Sequence, residues 1–284
     1  MNLHKSLFQG CSQIMLQKNA LSGLLFLVAI LYNSETLFIG ALVGLLIGTL
    51  TALLPGFDRG KLEDGLYGFN PMLVGIALLY LFEPSLTLFC ILICSSVLSV
   101  VITECFYRRQ LPPLTFPFVL TIWLVLAANS ALQWLPFRES SGLITGSYEP
   151  YTALGLSFAQ VMLQENVLTG WLFFIALLVH SRAAALYGLL GALLSQVIAI
   201  AFMFPEHLLN NGLYSFNAVL CALVFAQYRW SSAIYAALAV GCSTLLTHAM
   251  QLASFPALTF PFVLTTWLVM ALSNGVSERS KGAV

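Results

Sequence analysis

Leu114-Thr115-Phe116-Pro117-Phe118-Val119-Leu120-Thr121 occurs twice in this chain, returning unchanged as Leu258-Thr259-Phe260-Pro261-Phe262-Val263-Leu264-Thr265. Further upstream, Gly65-Leu66-Tyr67-Gly68-Phe69-Asn70 returns as Gly212-Leu213-Tyr214-Ser215-Phe216-Asn217. Upstream again, Gln13 to Gly23 (QIMLQKNALSG) returns as Gln160 to Gly170 (QVMLQENVLTG). The matches keep their order, and the second copy is three residues shorter between its last two elements. Ordered self-similarity of this kind marks an internal duplication. Two tandem copies are expected, a first repeat over 1–132 and a second over 155–284, joined by a linker at 133–154 that is polar from Phe137 to Pro150.

Composition says where such a chain can live. Of 284 residues, 60% are hydrophobic and only 8% charged, with a mean hydropathy of +0.92. Soluble domains carry about 25% charged residues, which excludes an ordinary water-soluble enzyme. Disordered chains lack the Leu, Ile, Val and Phe that crowd this one. Eleven basic residues balance eleven acidic ones, so nothing points to a nucleic-acid partner. An all-α polytopic membrane protein remains, with roughly ten spans at about 20 residues each plus short loops. The six cysteines form no CxxC pair and no metal-like cluster with histidine. They read as small apolar core residues, and no metal or cofactor is expected. Met1 to Gln13 lacks the apolar core of a signal peptide, so no cleaved leader is expected either.

Each copy holds five apolar runs: about 20–33, 36–54, 66–82, 86–104 and 114–131, then 167–181, 183–203, 212–228, 231–250 and 257–273. Several are short or interrupted by Gly and Pro, so some need not span as straight helices. Five is odd, and the second copy must therefore sit upside down relative to the first, the plan of many transport proteins. Charge agrees with this inversion. With the N-terminus inside, Lys5, Arg59, Lys61, Arg108, Arg109, Arg182, Arg229, Arg279 and Lys281 fall on cytoplasmic loops. Glu35, Glu83, Arg138, Glu139, Glu149 and Glu206 then fall outside, and only Arg138 opposes the positive-inside rule. Both termini and a short tail are expected in the cytoplasm, and the linker outside.

The runs contain almost no ionisable groups. Glu104, His180 and His248 lie at or near span ends, where a packed or interfacial side chain is the simplest reading. Lys18 and Glu165 are repeat mates just before their first spans. Coupled transporters need groups that bind and release protons or sodium, so this scarcity favours passive movement of a neutral solute. Prolines five residues apart at 112 and 117, and at 256 and 261, break a helix, and Thr115 and Thr259 put hydroxyls at the breaks. Freed backbone groups inside a bilayer must face protein or a water-filled path, although a kinked helix with structural threonine stays open. Gly65 to Asn70 and its mate suggest a second break. Phe69 shares a helical face with Leu73, and Phe216 with Leu220, either toward a pore or against a neighbouring helix. Gln13 and Gln17, like Gln160 and Gln164, stand four apart and must bond across helices or to a ligand.

The repeated Leu-Pro-x-x-Thr-x-Pro-Phe element, Gly-Leu-Tyr-Gly-Phe-Asn and the Gln-x5-Asn-x2-Ser/Thr-Gly segment together resemble the urea transporters, over nearly the whole chain. The second copy departs by starting its element with Phe255, and Leu16 and Leu163 stand where relatives often carry Phe. The resemblance implies a bacterial inner-membrane homotrimer with a central pore in each protomer. It also implies a narrow filter, with a row of oxygen acceptors beside flat apolar slots. Gln13 and Gln160 would supply acceptors, joined by carbonyls near Phe69 and Phe216 and by the hydroxyls of Thr115 and Thr259. Phe69, Leu73, Phe216 and Leu220 would wall the slots, with Val161, Leu16 and Leu163 beside them.

Urea suits such a path, being planar and neutral with four N–H donors and one carbonyl. A filter without fixed charge gives a dehydrated ion nothing to offset its lost hydration. A channel for ammonia, water or short amides is the alternative. Against water or glycerol, only Asn70-Pro71-Met72 approaches Asn-Pro-Ala, in one half; against ammonium, the histidines do not pair across the repeat. No nucleophile–base or metal constellation suggests an enzyme.

Overall fold

The computed structural model describes residues 3–53, 57–139, 142–227 and 229–281, with only the backbone given for Trp230 and for 274–281. Arg279 and Lys281, counted in the charge argument, therefore lie outside the described side chains. The first copy forms α1 (Leu3–Gln13), α2 (Ala20–Asn33), α3 (Glu35–Thr51), α4 (Arg59–Glu63), α5 (Phe69–Leu81), α6 (Leu86–Arg108) and α7 (Phe116–Leu132). The second copy repeats the order as α8 (Pro150–Ala159), α9 (Val167–His180), α10 (Arg182–Ala201), α11 (Glu206–Asn210), α12 (Phe216–Val224), α13 (Trp230–Leu252) and α14 (Phe260–Lys281). Among the described residues no strand occurs beyond one isolated bridge, Phe82 with Phe137. The chain is an all-α polytopic membrane protein.

The structure adds four helices that the apolar runs do not reveal, the short α4 and α11 and the longer α1 and α8. A helix of 14 residues such as α2 is about 21 Å long, well short of a hydrocarbon core of about 30 Å. In both copies a preceding limb adjoins this helix across a short break: α1 leads into α2, and α8 with a 3-10 turn (Gln160–Met162) leads into α9. The second pair is bent by 75° at its break. α1 escapes a hydropathy reading because it buries Ser6, Gln9, Gly10, Cys11 and Ser12, small or polar residues that pack through close contact. α8 starts at Pro150, inside the stretch read as linker. Among the described residues, only α6, α10 and the Ser231–Leu252 part of α13 are individually long and apolar enough to cross a membrane.

The repeated Gln-to-Gly segment builds these bends. Leu16 (φ 57°) and Leu163 (φ 55°) adopt left-handed backbone and turn the chain. Gln17 Nε2 then donates to the Met15 carbonyl at 2.8 Å, and Gln164 Nε2 to Met162 at 2.6 Å, satisfying oxygens that the broken helix leaves free. Asn19 caps α2 through Ser22 N at 2.9 Å, and Asn166 caps α9 through Thr169 N at 3.0 Å. The final glycine lets the two limbs touch: a Cβ on Gly23 would lie 1.8 Å from the Phe8 oxygen, and one on Gly170 1.7 Å from that of Gly155.

The copies meet reciprocally along α2 and α9. Ser22 Oγ donates to Ala176 O at 2.8 Å, and its mate Thr169 donates to Ala29 O at 3.4 Å. Phe26 and Phe173 meet edge to face at 5.2 Å between them. Within each copy α3 lies along α5 and α10 along α12, which buries the short helices that begin at Phe69 and Phe216.

The cysteines correct the sequence reading in part. Cys11 and Cys221 are buried, whereas Cys90, Cys94, Cys105 and Cys242 are exposed on outward faces of α6 and α13. An apolar run does not say which of its faces meets lipid and which meets protein.

Candidate functional site

Both Pro-Thr-Pro elements turn on left-handed residues, Gln110 (φ 57°) and Leu114 (φ 49°) in one, Ser254 (φ 53°) and Leu258 (φ 45°) in the other. Non-glycine residues hold such conformations only when their surroundings over-determine them. Asparagine supplies part of that constraint. Asn70 Nδ2 donates to Leu114 O at 3.0 Å, while its Oδ1 accepts from Phe118 N at 3.2 Å. Asn217 does the same for Leu258 O (3.1 Å) and Phe262 N (3.2 Å). Each amide thus bridges both sides of a break. The asparagines therefore cap the proline elements instead of their own helices.

Held this way, the two threonines face each other. Thr115 Oγ1 and Thr259 Oγ1 are 2.7 Å apart, and both residues are 3% exposed. Neither copy could make this contact alone, because it joins positions 144 residues apart. Thr115 precedes α7 without capping it, which leaves its hydroxyl for this contact. Thr121, in the helix that follows, turns back onto its own backbone, donating to Pro117 O at 2.7 Å.

The glycine breaks set the apolar residues. Gly65 (φ 76°) and Gly212 (φ 69°) turn the chain where a side chain has no room, with a built Cβ 2.2 Å from Gly10 N and 2.5 Å from Leu156 C. This seats the start of α5 against α1 and the start of α12 against α8 and its 3-10 turn. The helix that begins at Phe69 thus packs against the helix of Gln13, and the helix that begins at Phe216 against the turn that carries Gln160 and Val161. Phe69, Leu73, Phe216, Leu220, Val161 and Gln160 are all buried. Gln13 Nε2 donates to Asp64 O at 3.0 Å, so Oε1 is the end left to accept. Leu16 is 36% exposed at its bend, and Leu163 lines a cavity of about 520 Å³.

Charged groups sit at the ends. Lys18 Nζ pairs with Asp64 Oδ1 at 2.5 Å beside Gln13. At its mate, Tyr80 OH donates to Glu165 Oε1 at 2.5 Å in the cavity wall, which also includes Asn33, Arg138 and Glu139. Gln164 is tied there too, accepting from Asn33 Nδ2 at 2.8 Å. Gln164 thus bonds across helices, as one reading of its spacing allowed, whereas Gln17 bonds only within its own bend. Glu104 is the centre of a polar trio the sequence did not reveal: it accepts from Tyr67 OH at 2.7 Å and from Arg108 Nε at 2.8 Å. His248 stacks on Phe204 at 3.7 Å, a packed histidine.

Residues 4–274 match the family model described as urea transporter. Similar proteins include urea transporter 1 of Rattus norvegicus, 28% identical over 297 residues, covering 94% of this chain and 76% of that protein. Urea transporter 1 of Capra hircus and that of Ovis aries are each 27% identical over 301 residues with the same coverage.

Proposed function

This chain belongs to the urea transporter family and is a transport protein, not an enzyme; from that premise we propose that it moves urea passively through a pore of its own in each protomer. The single observation that carries the reading is the buried Thr115–Thr259 contact, where the two copies bring hydroxyls to one point. A neutral solute with several N–H donors can replace that hydroxyl partner as it passes. The amide oxygens of Gln13 and Gln160, and carbonyls near Phe69 and Phe216, extend the acceptor row. Phe69, Leu73, Phe216, Leu220 and Val161 present apolar surface to the faces of a flat molecule, with Leu16 and Leu163 nearer the mouths. These residues carry no formal charge, so an ion leaving water would find nothing to offset its hydration.

The copies lie inverted in a cell membrane, that of a bacterial cytoplasm, with both termini inside and the 133–154 linker outside. Three such protomers assemble, each with its own path. Charge bias of the loops and the odd number of runs support the orientation. The three-fold assembly rests on the resemblance alone.

Stopped-flow light scattering on proteoliposomes tests the function, comparing urea, formamide, glycerol and water. Urea should equilibrate far faster than in protein-free vesicles, and glycerol should not. Urea rates no higher than in empty liposomes would overturn the reading.

A further inference from the structure

Trp123 lies on α7 of the first copy, yet its indole Nε1 donates to Pro256 O of the second at 2.9 Å. Trp267 on α14 returns the bond, donating to Pro112 O of the first copy at 2.9 Å. Each accepting proline stands three residues before the threonine of its break. The rings are seated on the same opposite segment. Trp123 packs against Phe255 and Phe260 at 5.1 and 5.0 Å, and Trp267 against Phe106 and Phe116 at 5.8 and 5.4 Å.

We propose that Trp123 and Trp267 are positioning residues for urea passage, each holding the proline break of the opposite copy at the depth where Thr115 and Thr259 meet; this rests on the urea reading above. Each break contains a left-handed leucine that would relax if freed. Asn217 holds the Leu258 carbonyl on one side of Thr259, and Trp123 holds the Pro256 carbonyl on the other. Asn70 and Trp267 do the same around Thr115. Asparagine works within its own copy and tryptophan across copies, so the tryptophan bond alone ties the spacing of one threonine to the frame of the other. Both bonds lie at exposed positions, so they hold most firmly where lipid rather than water covers them.

Trp123→Phe and Trp267→Phe retain an aromatic ring and remove the donor. Urea and the bulkier methylurea are timed by stopped flow in proteoliposomes, per folded protein. Either variant should conduct urea about threefold to tenfold more slowly, the effect of one such bond in a membrane. The methylurea-to-urea ratio should rise, because a loosened constriction sorts size less well. Trp171→Phe is the control: its Nε1 is buried without a partner, and its ratio should stay at the wild-type value. Benzothienylalanine at 123, a bicyclic ring with sulfur for N–H, repeats the test if phenylalanine prevents folding. An unchanged ratio in the Trp123 and Trp267 variants, whether rates are wild-type or fall for both solutes in proportion, would overturn the positioning role. Failure of the urea reading is separate, since there the wild-type protein itself would not conduct.

Discussion

Thr115→Val probes the narrowest statement made about the path. Valine keeps the branched shape and removes one hydroxyl from a 2.7 Å pair whose members are each 3% exposed. Two effects oppose each other. In the wild type an entering urea must first open the Thr–Thr bond, worth about 1 kcal/mol net, whereas in the variant there is nothing to open. Against that, a urea N–H stripped of water loses one of its two hydroxyl partners, at about 1–3 kcal/mol. The second effect is larger. About 1 kcal/mol remains against passage, roughly a fivefold slower flux, with an upper bound near 2 kcal/mol or roughly thirtyfold. Thr259→Val should match it. The double variant should depart from the product of the two, because both hydroxyls act on one bound molecule. Thr121→Val is the control, since that hydroxyl bonds only its own helix at Pro117 O. The assay is stopped-flow urea flux per folded protein. Wild-type rates in both Thr115→Val and Thr259→Val would leave the threonines as helix-break hydroxyls and refute the argument.

Other residues test the scaffold and the orientation. Asn217→Leu strips partners from Leu258 O and Phe262 N together, so thermal stability in detergent should fall by about 2–4 kcal/mol with loss of urea flux; unchanged melting would remove the asparagine bridge. Gly170→Ala should prevent recovery of monodisperse protein, because its Cβ would sit 1.7 Å from the Gly155 oxygen; a well-folded variant would contradict the close approach of α8 and α9. Thr145→Cys, on the exposed linker, should react with an impermeant thiol reagent added to intact cells, and labelling only after lysis would reverse the orientation. The exposed wild-type cysteines should first be replaced for that experiment.

How much of this was legible beforehand varies by element. Eight identical residues around Thr115 and Thr259 announced the duplication, and paired prolines announced breaks, because a missing N–H is a local property. Apolar runs marked the helices that face lipid or core on hydropathy alone. α1 was not legible, since close packing by Ser6, Gln9 and Gly10 resembles a polar loop in one dimension, and α8 was hidden because it starts at Pro150, inside the stretch read as linker. The exposure of Cys90 and Cys94 was likewise invisible, because periodicity does not distinguish a lipid-facing stripe from a protein-facing one.

The sequence by itself determined that this is a duplicated, helical membrane protein broken by proline and glycine at matching points, because composition and backbone chemistry act over a few residues. Only the tertiary structure decided what those breaks bring together. That Thr115 meets Thr259, that Asn70 bridges Leu114 and Phe118, and that Trp123 reaches Pro256 depends on docking one copy against the other or one helix against a distant one. Residues 44 to 144 positions apart share no local signal, and the bond that joins them exists only once the packed helices have fixed the distance between them.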